Sequence, residues 1–140
     1  MGTMSPNRPR ILFVDDDPSL LKGLQHSLRT KHTIWDMQFA PSAEIALEIC
    51  RKKMCQVVVA DLCMPGMSGT DLVKTLSQEA PETTCIMLTG TADLQDAAEL
   101  INSSNIFRFY TKPCSVATVA EGIEDALLEA NKEREPPSLE

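Results

Sequence analysis

The feature that most constrains this chain is a repeated switch between two periods. Short apolar runs that end in a polar turn alternate with stretches whose apolar residues recur every three or four positions. Ile11-Leu12-Phe13-Val14 stops at Asp15-Asp16-Asp17-Pro18 and reads as a buried strand followed by a turn. Leu20, Leu21, Leu24 and Leu28 then recur at helical spacing, with Pro18 suited to a first turn and Ser19 close by. A weaker strand is expected over Thr33 to Ala40, and Pro41-Ser42 opens a second helix with Ile45, Ala46 and Ile49 on one face.

The pattern continues to the end of the chain. Gln56 to Ala60 is a Val-rich third strand bounded by Asp61, and the Pro/Gly loop from Met64 to Gly69 leads to a third helix marked by Leu72, Val73 and Leu76. Thr84 to Leu88 reads as a fourth strand, Leu94, Ala97, Ala98 and Ile101 as a fourth helix, and Ile106 to Tyr110 as a fifth strand. Val116, Val119, Ala120, Ile123 and Leu127 stripe a fifth helix with Ser115 as its N-cap. Five strands alternating with five helices predict an α/β fold: a parallel sheet covered on both faces, with right-handed crossovers. A chain of 140 residues fits one such domain, and at this size roughly 68% of the unfolded surface can be buried, so neither a disulfide nor a structural metal is required.

Charge and cysteine usage remove several function classes. The formal charge is −7, and the stretch Glu121 to Glu140 holds seven acidic residues against two basic ones. Phosphate neutralisation needs clustered Lys and Arg, so direct nucleic-acid binding is not expected. Arg51-Lys52-Lys53 fits a helix C-terminus, where cations complement the dipole. Cys50, Cys55, Cys63, Cys85 and Cys114 show no CxxC spacing, which suits free thiols in a reducing cytoplasmic compartment. No apolar run is long enough to span a membrane. The polar, Pro-bearing ends, residues 1–9 and 132–140, read as a flexible N-terminal segment and as a linker or truncated tail flanking a domain over 10–131. Trp35, His26 and His32 are isolated and are assigned packing or solvent roles, and Met54, Met64, Met67 and Met87 form no stripe.

Parallel sheets of this kind bind ligands beyond the carboxyl ends of their strands. The expected strand ends carry Asp15, Asp16 and Asp17 after the first, Asp61 after the third, Thr89 after the fourth and Lys112 after the fifth. Converging carboxylates repel one another unless a cation sits among them, and Mg²⁺ suits an oxygen-rich site that keeps waters and a phosphate oxygen. Asp61 is the candidate nucleophile, since a carboxylate can accept a phosphoryl group. Lys112 and Thr89 would supply charge and a hydroxyl, and Gly90 an open approach. The plainest competing reading makes the three aspartates a helix-capping turn.

Four blocks, Val14-Asp15-Asp16-Asp17-Pro18, Val57 to Gly69, Ile86-Met87-Leu88-Thr89-Gly90 and Tyr110-Thr111-Lys112-Pro113, closely resemble the receiver domain of two-component response regulators, over roughly Arg10 to Asn131. The resemblance implies a flavodoxin-like sheet of order 2-1-3-4-5. It implies Asp61 as phosphoacceptor, Asp16 as a direct Mg²⁺ ligand, Asp15 as a ligand through water, and the Cys63 backbone carbonyl as a further ligand. Lys112 would pair with the phosphoryl group and precede a cis proline, while Thr89 and Phe109, rather than Tyr110, would be the switch residues. The side chains of Cys63 and Thr91 lie where the family tunes phosphoryl lifetime. A sensor histidine kinase or phosphotransfer protein would be the donor, and an output domain or partner would read the face of helix 4, strand 5 and helix 5, with a homodimer possible there. The stretch Ala98 to Phe109 is similar to receivers attached to phosphodiesterase-type or transcriptional outputs. Two alternatives are a receiver-like interaction module that is never phosphorylated and a haloacid-dehalogenase-type phosphohydrolase with Asp15 as nucleophile and Asp17 as general acid. Pro18 directly after the DxD, and a length too short for a cap domain, oppose the second.

Overall fold

A computed structural model describes residues 8–90 and 105–134, with the side chains of 132–134 excepted. Its strands are β1 (Arg10–Val14), β2 (Asp36–Ala40), β3 (Val57–Asp61), β4 (Thr84–Thr89) and β5 (Ile106–Thr111). Its helices are α1 (Pro18–Ser27), α2 (Ala43–Lys52), α3 (Gly69–Glu79) and a C-terminal helix (Val116–Arg134). The helix predicted around Leu94 to Ile101, the Thr91 side chain and both chain ends lie outside the described residues.

All strand pairs are parallel, in the order β2-β1-β3-β4-β5. The register explains why the inner strands are continuously apolar. Leu12, Val14, Val58, Ala60, Cys85 and Met87 point to one face and pack with Ala46, Leu47, Leu72 and Leu76 of α2 and α3. Ile11, Phe13, Val57, Val59, Ile86 and Leu88 point to the other and pack with Leu21 and Leu24 of α1 and with Val119, Ile123 and Ala126 of the C-terminal helix. Alternation on strands buried on both sides removes the polar positions that a half-exposed strand would show.

The local starts and stops follow capping chemistry. Asp17 caps α1 by accepting from the Ser19 and Leu20 amides. Ser42 caps α2 and Ser68 caps α3 through the amides three residues on. Ser115 accepts from the Thr118 amide at 3.1 Å, the capping role expected of it.

Three details depart from the sequence reading. Residues Thr33 to Trp35 form a turn, because Ile34 and Trp35 both donate to the Lys31 carbonyl and the chain is not free to pair until Asp36. Ile45 is exposed, since the buried face of α2 runs through Ala43, Ala46, Leu47 and Cys50. The β4–β5 register jumps from Cys85↔Ile106 to Ile86↔Arg108, leaving Phe107 as the extra residue of a bulge. Trp35 is buried, in keeping with a packing role.

Candidate functional site

The chain leaves β1 toward β2 and leaves β3 toward β4, so the crevice at the carboxyl end of the sheet opens between β1 and β3. Val14 pairs with Ala60, which sets the residues that follow each of them, Asp15 and Asp61, side by side. The Asp15 amide donates to the Ala40 carbonyl at 3.1 Å, tying this turn to β2. One oxygen from each of Asp15, Asp16 and Asp61 lies within 4.8 Å of the others. Asp15 is buried and Asp16 exposed, with Asp61 between them in accessibility.

Lys112 reaches this cluster from the end of β5. Its Nζ lies 2.8 Å from Asp61 Oδ2 and 3.2 Å from Asp15 Oδ2. Partial burial alone would push the ammonium pKa down, but the hydrogen bonds and charges of Asp61 and Asp15 outweigh it and hold the pKa above its usual value. The Lys112 amide donates to the Thr89 carbonyl at 2.8 Å, fixing the root of the side chain, and the Lys112–Pro113 peptide is cis as the resemblance implied.

The two oxygens of Asp61 have different partners. Oδ2 meets Lys112, and Oδ1 accepts the Cys63 amide at 3.1 Å. Asp15 Oδ1 likewise accepts the Asp17 amide at 2.9 Å. These bonds hold both carboxylates by their own turns, while Asp17, committed to its cap, is turned to helix α1 instead. The capping reading is therefore right for Asp17 and does not extend to its two neighbours. It also removes Asp17 from the general-acid role that a phosphohydrolase would need.

Thr89 is fully buried, and its hydroxyl donates to the Gly90 carbonyl at 3.1 Å rather than to Asp61. Phe109 is half-buried against the α2/α3 layer, whereas Tyr110 faces the C-terminal helix. There Tyr110 Oη accepts from Arg108, which also pairs with Asp125 at 2.7 Å.

Sequence reasoning missed Gly69. A Cβ at Gly69 would stand 2.1 Å from the Asp61 carbonyl oxygen and 2.9 Å from Leu62 Cα, so only glycine lets the start of α3 approach the end of β3 this closely. A glycine directly after a capping serine was the available signal. Gly66, at φ +75°, supplies the left-handed residue of the same loop.

Three hard oxygen donors around one crevice, one of them nearly inaccessible to bulk water, fit a small divalent cation. A parallel α/β sheet with an acidic crevice at its switch point and a lysine from the last strand defines the doubly wound class, whose ligands sit at the carboxyl edge of the sheet. Within that class, residues 11–124 match the family model described as the response regulator receiver domain, and the chain belongs to that family.

Relatives and solved structures agree. The chain is 32% identical over 124 residues to the transcriptional regulatory protein GlrR of Escherichia coli, covering 89% of this chain and 27% of that protein. It is 29% identical to the response regulator protein PilR of Pseudomonas aeruginosa, over 92% of this chain and 28% of that one. The chain thus spans about a quarter of the length of these relatives. The signal receiver domain of an HD domain-containing protein from Pseudomonas fluorescens superposes with a TM-score of 0.82 at 31% identity, covering 90% of this chain and 99% of that one. A CheY-like receiver domain from Methanospirillum hungatei gives 0.82 at 27% identity, over 91% and 99% of the two chains.

Proposed function

We propose that this receiver domain accepts a phosphoryl group on Asp61 from the phosphohistidine of a sensor kinase or phosphotransfer protein. The observation that carries the reading is the Asp61 carboxylate held at 2.8 Å from Lys112 and beside Asp15 and Asp16. A carboxylate oxygen of Asp61 attacks phosphorus, and the bond from phosphorus to the donor's leaving group breaks. Charge moves onto the phosphoryl oxygens, where the Lys112 ammonium meets it. Asp15, Asp16, Asp61 and the Cys63 carbonyl would hold Mg²⁺, which supplies charge neutralisation for a dianionic group approaching three carboxylates.

The reading extends to the switch. The new phosphoryl group adds about −1.5 to −2 of charge beside Lys112. Thr89 exchanges its bond to the Gly90 carbonyl for one to a phosphoryl oxygen, and Phe109 repacks against the α2/α3 layer. An output domain or partner reads the change on the face that includes β5 and the C-terminal helix, where a homodimer can also form. The domain spans 10–131, works in the cytoplasm and acts only on itself, with any output enzyme elsewhere. That the relatives named as transcriptional regulators are about four times longer supports an output outside this chain.

Intact-mass measurement after incubation with acetyl phosphate tests the reading. One phosphoryl mass is expected with Mg²⁺, none after chelation and none in Asp61→Asn. Full labelling of Asp61→Asn would overturn it.

A further inference from the structure

β2 is an edge of the sheet, and its residues Asp36–Ala40 include neither the proline nor the lysine that commonly blunts such an edge. Which of its main-chain groups face outward follows from its two ends. The Asp36 amide donates to the Pro9 carbonyl and the Ala40 carbonyl accepts from the Asp15 amide, so both residues turn their polar groups toward β1 and its flanks. Main-chain direction alternates along a strand, so Gln38 faces inward with them, and the N–H and C=O of Met37 and Phe39 face away from the sheet. No described strand pairs with that side. The edge is held straight: the Phe39 ring stacks on Phe13 with centroids 5.2 Å apart, and the β1–β2 register runs without a break.

Beside this edge lies an open groove of about 720 Å³, lined by Trp35, Met37 and Phe39 and by Arg8, Arg29 and His32. The cations stand out in a chain of net charge −7. No acidic residue occurs between Asp17 and Asp36, a stretch that holds Lys22, Arg29, Lys31 and both histidines. Arg8 Nη1 donates to the His32 and Trp35 carbonyls, and Arg29 Nη1 to the His26 carbonyl. These bonds pin each guanidinium by one nitrogen and leave its charge uncompensated, because neither arginine forms an ion pair among the described residues. Asp36, the one carboxylate on the groove, is shared between Arg10 at 3.7 Å and the Gln38 side-chain amide at 2.9 Å.

A free strand edge takes an extended chain, and unpaired guanidinium groups take carboxylates. We propose that β2 docks an acidic partner segment in extended conformation, which adds as a sixth strand on the main chain of Met37 and Phe39 and sets carboxylates against Arg8 and Arg29. Side chains at i, i+2 and i+4 of such a segment share one face. Two carboxylates flanking an apolar residue match the groove's mixture of cations and apolar wall. Arg8 precedes β1 and Trp35 precedes β2, so the groove lies toward the amino end of the sheet, away from the acidic crevice, and docking there does not rest on phosphoryl chemistry.

The test titrates the peptide acetyl-Glu-Thr-Leu-Thr-Glu-amide into the ¹⁵N-labelled full chain, with amide shifts and hydrogen exchange as readouts. In the free chain the Met37 and Phe39 amides should exchange fast and the Gln38 amide slowly. Bound peptide should slow Met37 and Phe39 about tenfold and leave Gln38 unchanged. N-methylation of the peptide's leucine and N-methylation of its threonines should differ, one abolishing binding and the other tolerated, because only alternate amides of an added strand face β2. Arg29→Gln should weaken binding about fivefold with unchanged circular dichroism, the effect of one partly exposed charge pair. Shifts around Arg8 and Arg29 without new protection at Met37 and Phe39 would reduce the contact to a non-specific ionic one and overturn the proposal. So would equal binding of the peptide with lysine in place of glutamate, equal binding of a short oligouridylate, or no response at the peptide's solubility limit.

Discussion

Two carboxylates hold Lys112, and the sign of its response to alkali follows from that. Its folded-state pKa is raised above the ordinary 10.5, by Asp61 and Asp15 acting against partial burial. A base whose pKa is raised on folding contributes stability that is fully present below the unfolded value and is lost as pH rises through the folded one. The parent should therefore lose more melting temperature as the pH rises past 10.5 than Lys112→Met, which has no such group to titrate. At neutral pH the same substitution leaves Asp15 and Asp61 facing each other without their cation. Because the lysine is partly exposed, the cost should be only about 1 kcal/mol. Thermal melts of the two proteins across this range provide the measurement, and parallel slopes would show that the pairing contributes nothing to the fold.

The connection from β3 to α3 shows which elements a sequence can reveal and which it cannot. Strand and helix identities were legible because the two apolar periods differ and because Ser42 and Ser115 are good caps. What local pattern could not carry was contact between segments. Nothing around Ile45 says that α2 turns Leu47 rather than Ile45 inward, and the Phe107 bulge exists only relative to the register of β4. The residues that meet at the crevice were legible for another reason: Asp15, Asp61 and Thr89 each follow the last apolar residue of their strand and Lys112 comes just past the end of β5, so topology alone brings them to one edge of the sheet. Gly69 was not, because its constraint comes from the Asp61 backbone across the loop. Two substitutions separate the effects. Ser68→Ala removes one cap bond and should cost about 1 kcal/mol. Gly69→Ala places a methyl against backbone that cannot rotate away, and should cost about 2–4 kcal/mol and loosen the Asp61 turn. Denaturant unfolding should rank them in that order, and equal costs would mean that the approach of α3 to β3 relaxes freely.

On the scale of the molecule, the acidic crevice joins the ends of β1, β3 and β5, so whatever binds there stabilises the whole sheet. A ligand that binds only the folded chain adds about 0.4 kcal/mol at its dissociation constant and about 2.7 kcal/mol at a hundredfold excess. Melting temperature should rise with Mg²⁺ against a matched ionic strength of NaCl and return on chelation, with the rise lost in Asp16→Asn. A rise retained in that variant would place the ion away from the crevice, for instance along the acidic face of the C-terminal helix. Lys112 makes the test sharper, because its ammonium and the metal share the oxygens of Asp15 and Asp61. Removing a competing cation strengthens the binding of the other, whereas phosphoryl transfer needs both charges at once. Lys112→Met should therefore bind Mg²⁺ more tightly than the parent while accepting phosphoryl groups more slowly. Isothermal titration and acetyl-phosphate labelling of the same preparation should move in opposite directions. If both fall together, the lysine is holding the carboxylates in place rather than sharing them with the metal.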